Sequence, residues 1–179
     1  MRKLTAWISI FLLSILSAVI LLMAIGFRIN LTDSIPIGLY RITSINNLKN
    51  NFVIFCPEDK PAFQLARDRG YIDSGLCPGG YGYLMKKIVA IKGDKISITD
   101  EGVFVNHQRI SFSKPISTDG MNRPLPQWRT RDYQLKEDEI LTMTNQSAWS
   151  FDSRYYGPVH MGQIKGMITP VWVKTTMEK

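Results

Sequence analysis

From Leu4 to Gly26 the chain runs for 23 residues without a charge, and this run limits the fold more than any other feature. A helix rising ~1.5 Å per residue covers roughly 34 Å over that length, enough to cross a hydrocarbon core of about 30 Å. A cleaved secretory leader has a shorter apolar core, about 7–15 residues, and a small-residue exit of the Ala-x-Ala kind. Here the exit reads Met23-Ala-Ile-Gly-Phe-Arg28, so a retained anchor is expected. Arg2, Lys3 and the terminal amine precede the run, and Arg28 alone follows it closely. The positive-inside bias then puts the N-terminus in the cytoplasm and residues 28–179 on the far side of the bilayer. The expected organisation is residues 1–27 as cytoplasmic N-terminus and transmembrane anchor, and 28–179 as one extracytoplasmic domain large enough for its own core.

Taking Arg2 and Lys3 from the chain's 22 basic residues leaves that domain with 20 Lys and Arg against 15 Asp and Glu, a net charge of +5. The positive charges are scattered and form no basic arm or basic-aromatic face, which argues against a nucleic-acid binder. A basic domain held beside anionic headgroups accounts for the balance, with the lipid bilayer as partner. Cys56 and Cys77 are the two cysteines, each followed by proline. Two thiols with no neighbouring His or Cys pair make a poor zinc site, so no metal is expected. In an oxidising compartment the simplest reading is a Cys56–Cys77 disulfide, worth about 3 kcal/mol on the chain-entropy view.

Beyond the anchor the pattern favours strands. Phe52–Cys56 and Lys86–Ile91 are short apolar β-type runs, and Lys95–Thr99 alternates with period two. Gly102–Ile110 reads as a hairpin turning near Asn106-His107. Glu139–Thr144 and Gly166–Val173 add strands, and Pro61–Arg69 is the helix candidate, ended by Gly70. Ser111–Arg131, polar and proline-containing, reads as a surface excursion. Many short strands with turn signals predict a mainly β domain.

Three segments carry the chemistry. Ser34 lies in a turn constrained by Pro36 and Gly38, and the few residues from Phe27 span at most about 25 Å, so it stays near the membrane surface. A serine hydroxyl is a weak nucleophile and needs a base. A lysine can serve once burial among apolar groups lowers its pKa from about 10.4. Lys86 and Lys87 sit in such a run, Leu84–Ile91. Consecutive strand residues face opposite ways, so only one of them can face a given pocket, and periodicity does not choose between them. Gatekeeping lysines on an edge strand are the structural alternative. In extended backbone Ser150, Asp152 and Arg154 share a face, where Asp152 and Arg154 can pair. A Ser-His-Asp triad finds little support: His107 falls in the hairpin turn, and His160 reads as an edge residue.

Taken in order, these blocks resemble the type I signal peptidase family. A serine follows an N-terminal anchor, then comes a Lys-Lys/Arg-x-Val-x-x-x-Gly-Asp strand, then Ser-x-Asp-Ser-Arg-x-x-Gly-x-Val. The last block is matched in full by Ser150, Asp152, Ser153, Arg154, Gly157 and Val159. Counting back from Gly93-Asp94 aligns Lys86, not Lys87, with the family's general base. The serine block departs from the usual Ser-Met-x-Pro-Thr and reads Ser34-Ile-Pro-Ile-Gly-Leu-Tyr40. With Phe55-Cys-Pro57, Arg69-Gly-Tyr-Ile72, Cys77-Pro-Gly-Gly80 and Pro170-Val-Trp172, it is similar to the TraF-type branch, whose members process pilin precursors for conjugative transfer.

The resemblance implies a coiled antiparallel β-sheet domain behind a single transmembrane helix in the bacterial inner membrane, with the catalytic domain periplasmic. It implies Ser34 as nucleophile and Lys86 as general base and acid, with no cofactor. Ser150 would orient the lysine, Asp152 and Arg154 would form a supporting ion pair, and Thr32 with the Ser34 backbone N–H would form the oxyanion hole. The implied partner is a precursor protein, such as a pilin, with small residues before the cut; some relatives also cyclise their product. Two further readings stand beside it: a non-catalytic tethered assembly component of a secretion apparatus, and a self-cleaving repressor. The latter is cytoplasmic and carries a DNA-binding domain where this chain has an apolar span.

Overall fold

The structure, a computed structural model, describes residues 2–174. The terminal amine, and residues 175–179 of the expected domain, lie outside the described residues. Helix α1 (Arg2–Ala24) is long and apolar enough to cross a membrane, and none of its apolar stretch is buried against the rest of the protein. Such a surface needs lipid or another apolar environment around it.

Strands β1 (Phe27–Asn30) and β2 (Gly38–Thr43) follow as a hairpin, and its loop carries Ser34. β3 (Phe52–Phe55) leads to α2 (Pro61–Asp68), which has Pro61 in its first turn and Gly70 at φ +73° just beyond its end. Proline is tolerated at a helix start because the first N–H groups are unpaired anyway, and glycine supplies the left-handed residue that ends the helix. Next come β4 (Ser74–Cys77), β5 (Leu84–Ala90), β6 (Lys95–Thr99), β7 (Gly102–Val105) and β8 (Gln108–Arg109). β7 and β8 form the expected hairpin, with Asn106 and His107 both at positive φ, as a two-residue primed turn requires. β9 (Thr130–Gln134), β10 (Glu139–Met143), α3 (Ser153–Tyr156), β11 (Val159–His160) and β12 (Ile164–Val173) complete the chain.

The strands make two antiparallel sheets. One has seven strands in the order β1-β2-β12-β3-β5-β10-β11, the other four in the order β8-β7-β6-β9. Register shifts interrupt β12 at Ile164/Gly166 and Pro170/Trp172, and β10 against β5 at Leu141/Thr142. Such bulges bend a strand and raise its twist, which gives the coiled sheet that was expected. At Gly38 the β2 backbone passes so close to β12 that an added Cβ would lie 2.2 Å from Trp172 O; only glycine fits there.

Three apolar clusters hold the sheets. The first gathers Val53, Phe55, Phe63, Ile88, Phe151 and Tyr156 around the Cys56–Cys77 pair. The second lies where Val89 and Ala90 of β5 meet Ile96, Ile98 and Val103 of the small sheet. The third packs Ile35 against Tyr40, Ile54 and Ile168, which fixes the residue after Ser34 into the large sheet.

Two expectations need correction. Residues 150–154 are not extended: Asp152 caps α3 by accepting the Arg154 N–H, and Gly157 at φ +78° ends that single turn. A short polar side chain able to bond a nearby backbone N–H competes well with extended backbone. Nor is Ser111–Arg131 only a surface excursion. Ser113 and Pro115 are buried and β9 begins at Thr130. The cause is the Arg154 guanidinium, which donates to the carbonyls of Phe112 and Lys114 and draws that segment onto the core.

Cys56 and Cys77 form the expected disulfide, tying the end of β3 to the end of β4 across 21 residues. Thiol alkylation of the native protein should label neither cysteine before reduction. The Cys56→Ser/Cys77→Ser pair should lower unfolding stability by about 3 kcal/mol in urea melts.

Candidate active site

The β1–β2 loop reverses between Leu31 and Ile37, and a buried asparagine organises the turn. Asn30 Nδ2 donates to the carbonyls of Thr32 and Ile35 at 2.7 and 2.8 Å and approaches that of Pro36 at 3.2 Å. Its Oδ1 accepts from Thr32 Oγ1 at 2.9 Å and from the Thr32 N–H at 3.2 Å. Ser34, half-buried, stands at the crest of this turn.

Lys86 comes from β5, where Val53 of β3 is its partner. The strand pleat separates the two lysines: Lys86 is 3% exposed, and Lys87 on the opposite face is half-buried. Lys86 Nζ lies 2.6 Å from Ser34 Oγ and 2.8 Å from Ser150 Oγ, and the two hydroxyl oxygens are 3.2 Å apart. As an ammonium the lysine donates to both hydroxyls; once neutral, its lone pair can accept the Ser34 proton. Burial brings its pKa down to about 8, against an attraction to Asp152 that raises it and a repulsion from Arg154 that lowers it further. Desolvation wins because it acts on the full charge, whereas Asp152 is already neutralised by its partner.

Ser150 is held from behind. Arg154 NH2 donates to the Ser150 carbonyl at 2.9 Å, while Nε and NH2 grip Asp152 at 2.8 and 2.9 Å. The remaining donors on NH1 reach Phe112 O at 3.3 Å and Lys114 O at 3.1 Å. All the guanidinium's N–H groups are thus used, and neither Asp152 nor Arg154 is exposed at all. An ion pair this deep is tolerable only when its remaining hydrogen-bonding positions are filled, and here they are.

Ser34, Lys86 and Ser150 open into a cavity of about 350 Å³. Thr32 and Asp33 border one side; Tyr71, Asp119 and Trp149 border others. Neither histidine lines it. His107 is in the β7–β8 turn, and His160 Nδ1 pairs with Asp138 at 2.9 Å on the surface. Asn30 and Asp119 were not singled out from the sequence, and Tyr71 only as part of the Arg69-Gly-Tyr-Ile72 block, without a role. Asp119-Gly120 is a recognisable turn signal, whereas Asn30 and Tyr71 act through contacts that no local pattern encodes. The geometry offers a nucleophilic hydroxyl, a buried amine able to lose its proton near neutral pH, and a neighbouring cavity for substrate.

The description "Signal peptidase, peptidase S26" matches residues 2–173. The chain belongs to the signal peptidase family. Within it, relatives place the chain in the TraF-type branch. A plasmid transfer protein TraF of Escherichia coli is 46% identical over 83% of each chain. A conjugal transfer protein TraF of Agrobacterium fabrum is 32% identical over 82% of each. Among solved structures, a signal peptidase I of Enterococcus faecalis V583 is 14% identical and covers 71% of this chain and 100% of its own, at a TM-score of 0.41. The protein is therefore a membrane-anchored peptidase of the signal peptidase family with a conjugation-related role.

The depressed Lys86 pKa fixes a sign for stability. Between about 8 and the ordinary 10.5 the unfolded chain binds a proton that the folded one does not, so stability rises with pH through that window. Below about pH 8 both states are protonated and the burial cost is felt in full. Urea melts at pH 7.5 and 10 should show the wild type gaining on the order of 3 kcal/mol more than Lys86→Met, which lacks the group.

Proposed function

We propose that this chain is a Ser/Lys endopeptidase that removes leader peptides from exported precursors. The observation that carries this reading is the 2.6 Å approach of a fully buried Lys86 Nζ to Ser34 Oγ. Neutral Lys86 takes the Ser34 proton as Oγ attacks the scissile carbonyl, giving a tetrahedral oxyanion. Lys86 then hands that proton to the leaving amine, and an acyl-enzyme on Ser34 remains. A water molecule, deprotonated by the same lysine, hydrolyses the ester and restores the serine. Ser150 keeps Nζ aimed at Ser34, and the Asp152–Arg154 pair keeps Ser150 in place.

The oxyanion would be met by the Ser34 backbone N–H and the Thr32 hydroxyl. Thr32 Oγ1 donates to Asn30 Oδ1 here, so in this role it rotates away from Asn30 toward the substrate. Residues 1–27 serve as cytoplasmic N-terminus and inner-membrane anchor, with residues 28–179 as the periplasmic catalytic domain. Exposed Ile29, Val171 and Trp172, on strands beside the Ser34 loop, and Leu31 at the start of that loop support a seat at the lipid surface. The substrate would enter as an extended strand with small residues before the cut. The relatives' names, plasmid and conjugal transfer proteins, favour a pilin subunit of a conjugative system as that substrate.

Cleavage of a co-expressed pilin precursor in membranes tests this, with a host peptidase that is first shown not to cut it. Ser34→Ala and Lys86→Ala should each abolish processing, a loss of at least about 10³-fold. Lys87→Ala should process normally, and the wild-type rate should rise with pH to a plateau above about 8. Full cleavage by Ser34→Ala would sink the peptidase reading and leave a non-catalytic assembly component.

A further inference from the structure

Between the apolar helix and the sheet there is almost no chain. α1 ends at Ala24 and β1 starts at Phe27, so Ile25 and Gly26 are the whole connection. None of the apolar stretch of α1 is buried against the rest of the protein, so this connection decides how the domain sits on its anchor. A helix that served only as a tether would suit a run of Gly, Ser and polar residues after it, which behaves as a flexible coil. Here a strand begins at once.

The joint is bonded on both sides. The Ile25 N–H donates to Leu21 O at 3.0 Å and the Gly26 N–H to Met23 O at 3.2 Å, which closes the last turn of the helix. Gly26 is at φ +95°, a left-handed form that turns the chain out of a helix and that glycine adopts at least cost. On its other side the Gly26 carbonyl accepts the Ile42 N–H at 2.9 Å. The β1–β2 pairing therefore reaches back to the joint itself.

Arg28 locks the arrangement. Its NH1 donates to Met23 O on the helix and to Phe27 O on the strand, both at 2.7 Å. The last carbonyls of a helix lack partners within it and form its negative dipole end, so a guanidinium is favoured there on both counts. The same guanidinium lies 5.9 Å from the centre of the Tyr83 ring, within reach of a cation–π contact. Tyr83 directly precedes β5, the strand of Lys86. Arg28 thus meets the anchor, the hairpin that carries Ser34 and the approach to the strand that carries Lys86. No free hinge is left between helix and dyad.

A precursor with an apolar leader lies in the same bilayer as α1, so the membrane orients enzyme and substrate alike. A domain fixed to its anchor carries that orientation through to the reacting atoms, and orientation gained in advance lowers the barrier to attack. We propose that Ile25-Gly26 and Arg28 form a rigid mount that holds Ser34 and Lys86 at a set attitude over the bilayer, with Arg28 as its positioning residue. This rests on the peptidase reading above.

The test uses the full chain in vesicles of phosphatidylethanolamine and phosphatidylglycerol. One substrate is a pilin precursor embedded in the same vesicles by its apolar leader; the other is a soluble peptide spanning the cut site. Gly-Ser-Gly-Ser inserted between Gly26 and Phe27 lets the domain wander over about 11 Å. It should lower kcat/KM for the embedded precursor about tenfold or more and leave that for the soluble peptide unchanged. Arg28→Met, which keeps the stem and removes the donors, should act in the same direction to a smaller degree. Arg28→Lys, which restores a donor, should recover most of that loss. An embedded-precursor rate untouched by the insertion overturns the mount, and so does an equal fall on both substrates, the mark of damage to the site itself. A rate untouched by Arg28→Met, or a loss that Arg28→Lys does not recover, overturns the role of Arg28. Ser34→Ala separates the levels: if it cleaves either substrate, or if wild type cleaves neither, the peptidase reading falls and the mount's purpose with it.

Discussion

The pairing of Arg154 with Asp152 is the contact on which the most distant parts of this protein depend. One guanidinium binds a carboxylate two residues away, the carbonyl of Ser150 and the carbonyls of Phe112 and Lys114. It thereby joins α3, the serine bonded to Lys86 and the segment that runs on to the cavity-lining residues Ile116, Asp119 and Leu125. With both ions removed from water, loss of either partner would leave the other uncompensated, at a cost of about 3–5 kcal/mol. The same burial makes the arrangement rigid, because no solvent molecule is at hand to replace a lost bond.

Around that pair the site divides labour between sheet and loop. The lysine belongs to an inner strand, where main-chain hydrogen bonds on both edges restrict its backbone. The serine belongs to a turn that is held at two points: Asn30 bonds its carbonyls from within, and Ile35 is buried immediately after it. A lysine fixed in the sheet thus faces a half-buried serine on a braced turn, so the two groups are held in one geometry. Burial also does chemical work, since the environment that excludes water from Lys86 is what brings its proton affinity toward neutrality.

Much of this was legible in the residues, and the reasons differ by element. The uncharged run from Leu4 announced α1, period-two alternation announced β6, and the turn at Asn106-His107 announced the β7–β8 hairpin. The pair Lys86–Lys87 was visible as an anomaly in an apolar strand, but choosing between them required knowing which face of β5 looks toward Ser34. That is a property of the sheet, and the resemblance to a known family supplied the choice. β1 escaped the pattern because its four residues do not alternate in burial, and β2 because apolar Leu39 lies on the face opposite buried Tyr40 and blurs the alternation. Residues 150–154 depart from the extended form because Asp152 bonds the Arg154 N–H and caps a helical turn, a local preference that strand-like alternation does not express. Tyr71 and Asp119 stand 48 residues apart, and nothing local to either forecasts the meeting.

The strand order also has a consequence in time. β1 and β2, which carry Ser34, and β3 and β5, which carry Lys86, are not neighbours; β12 lies between them and pairs with both sides. β12, Ile164–Val173, follows every other strand of the sheet in sequence. Until it takes its place no strand joins the two halves, so the meeting of Ser34 with Lys86 is a property of the closed sheet and waits for its last-made strand.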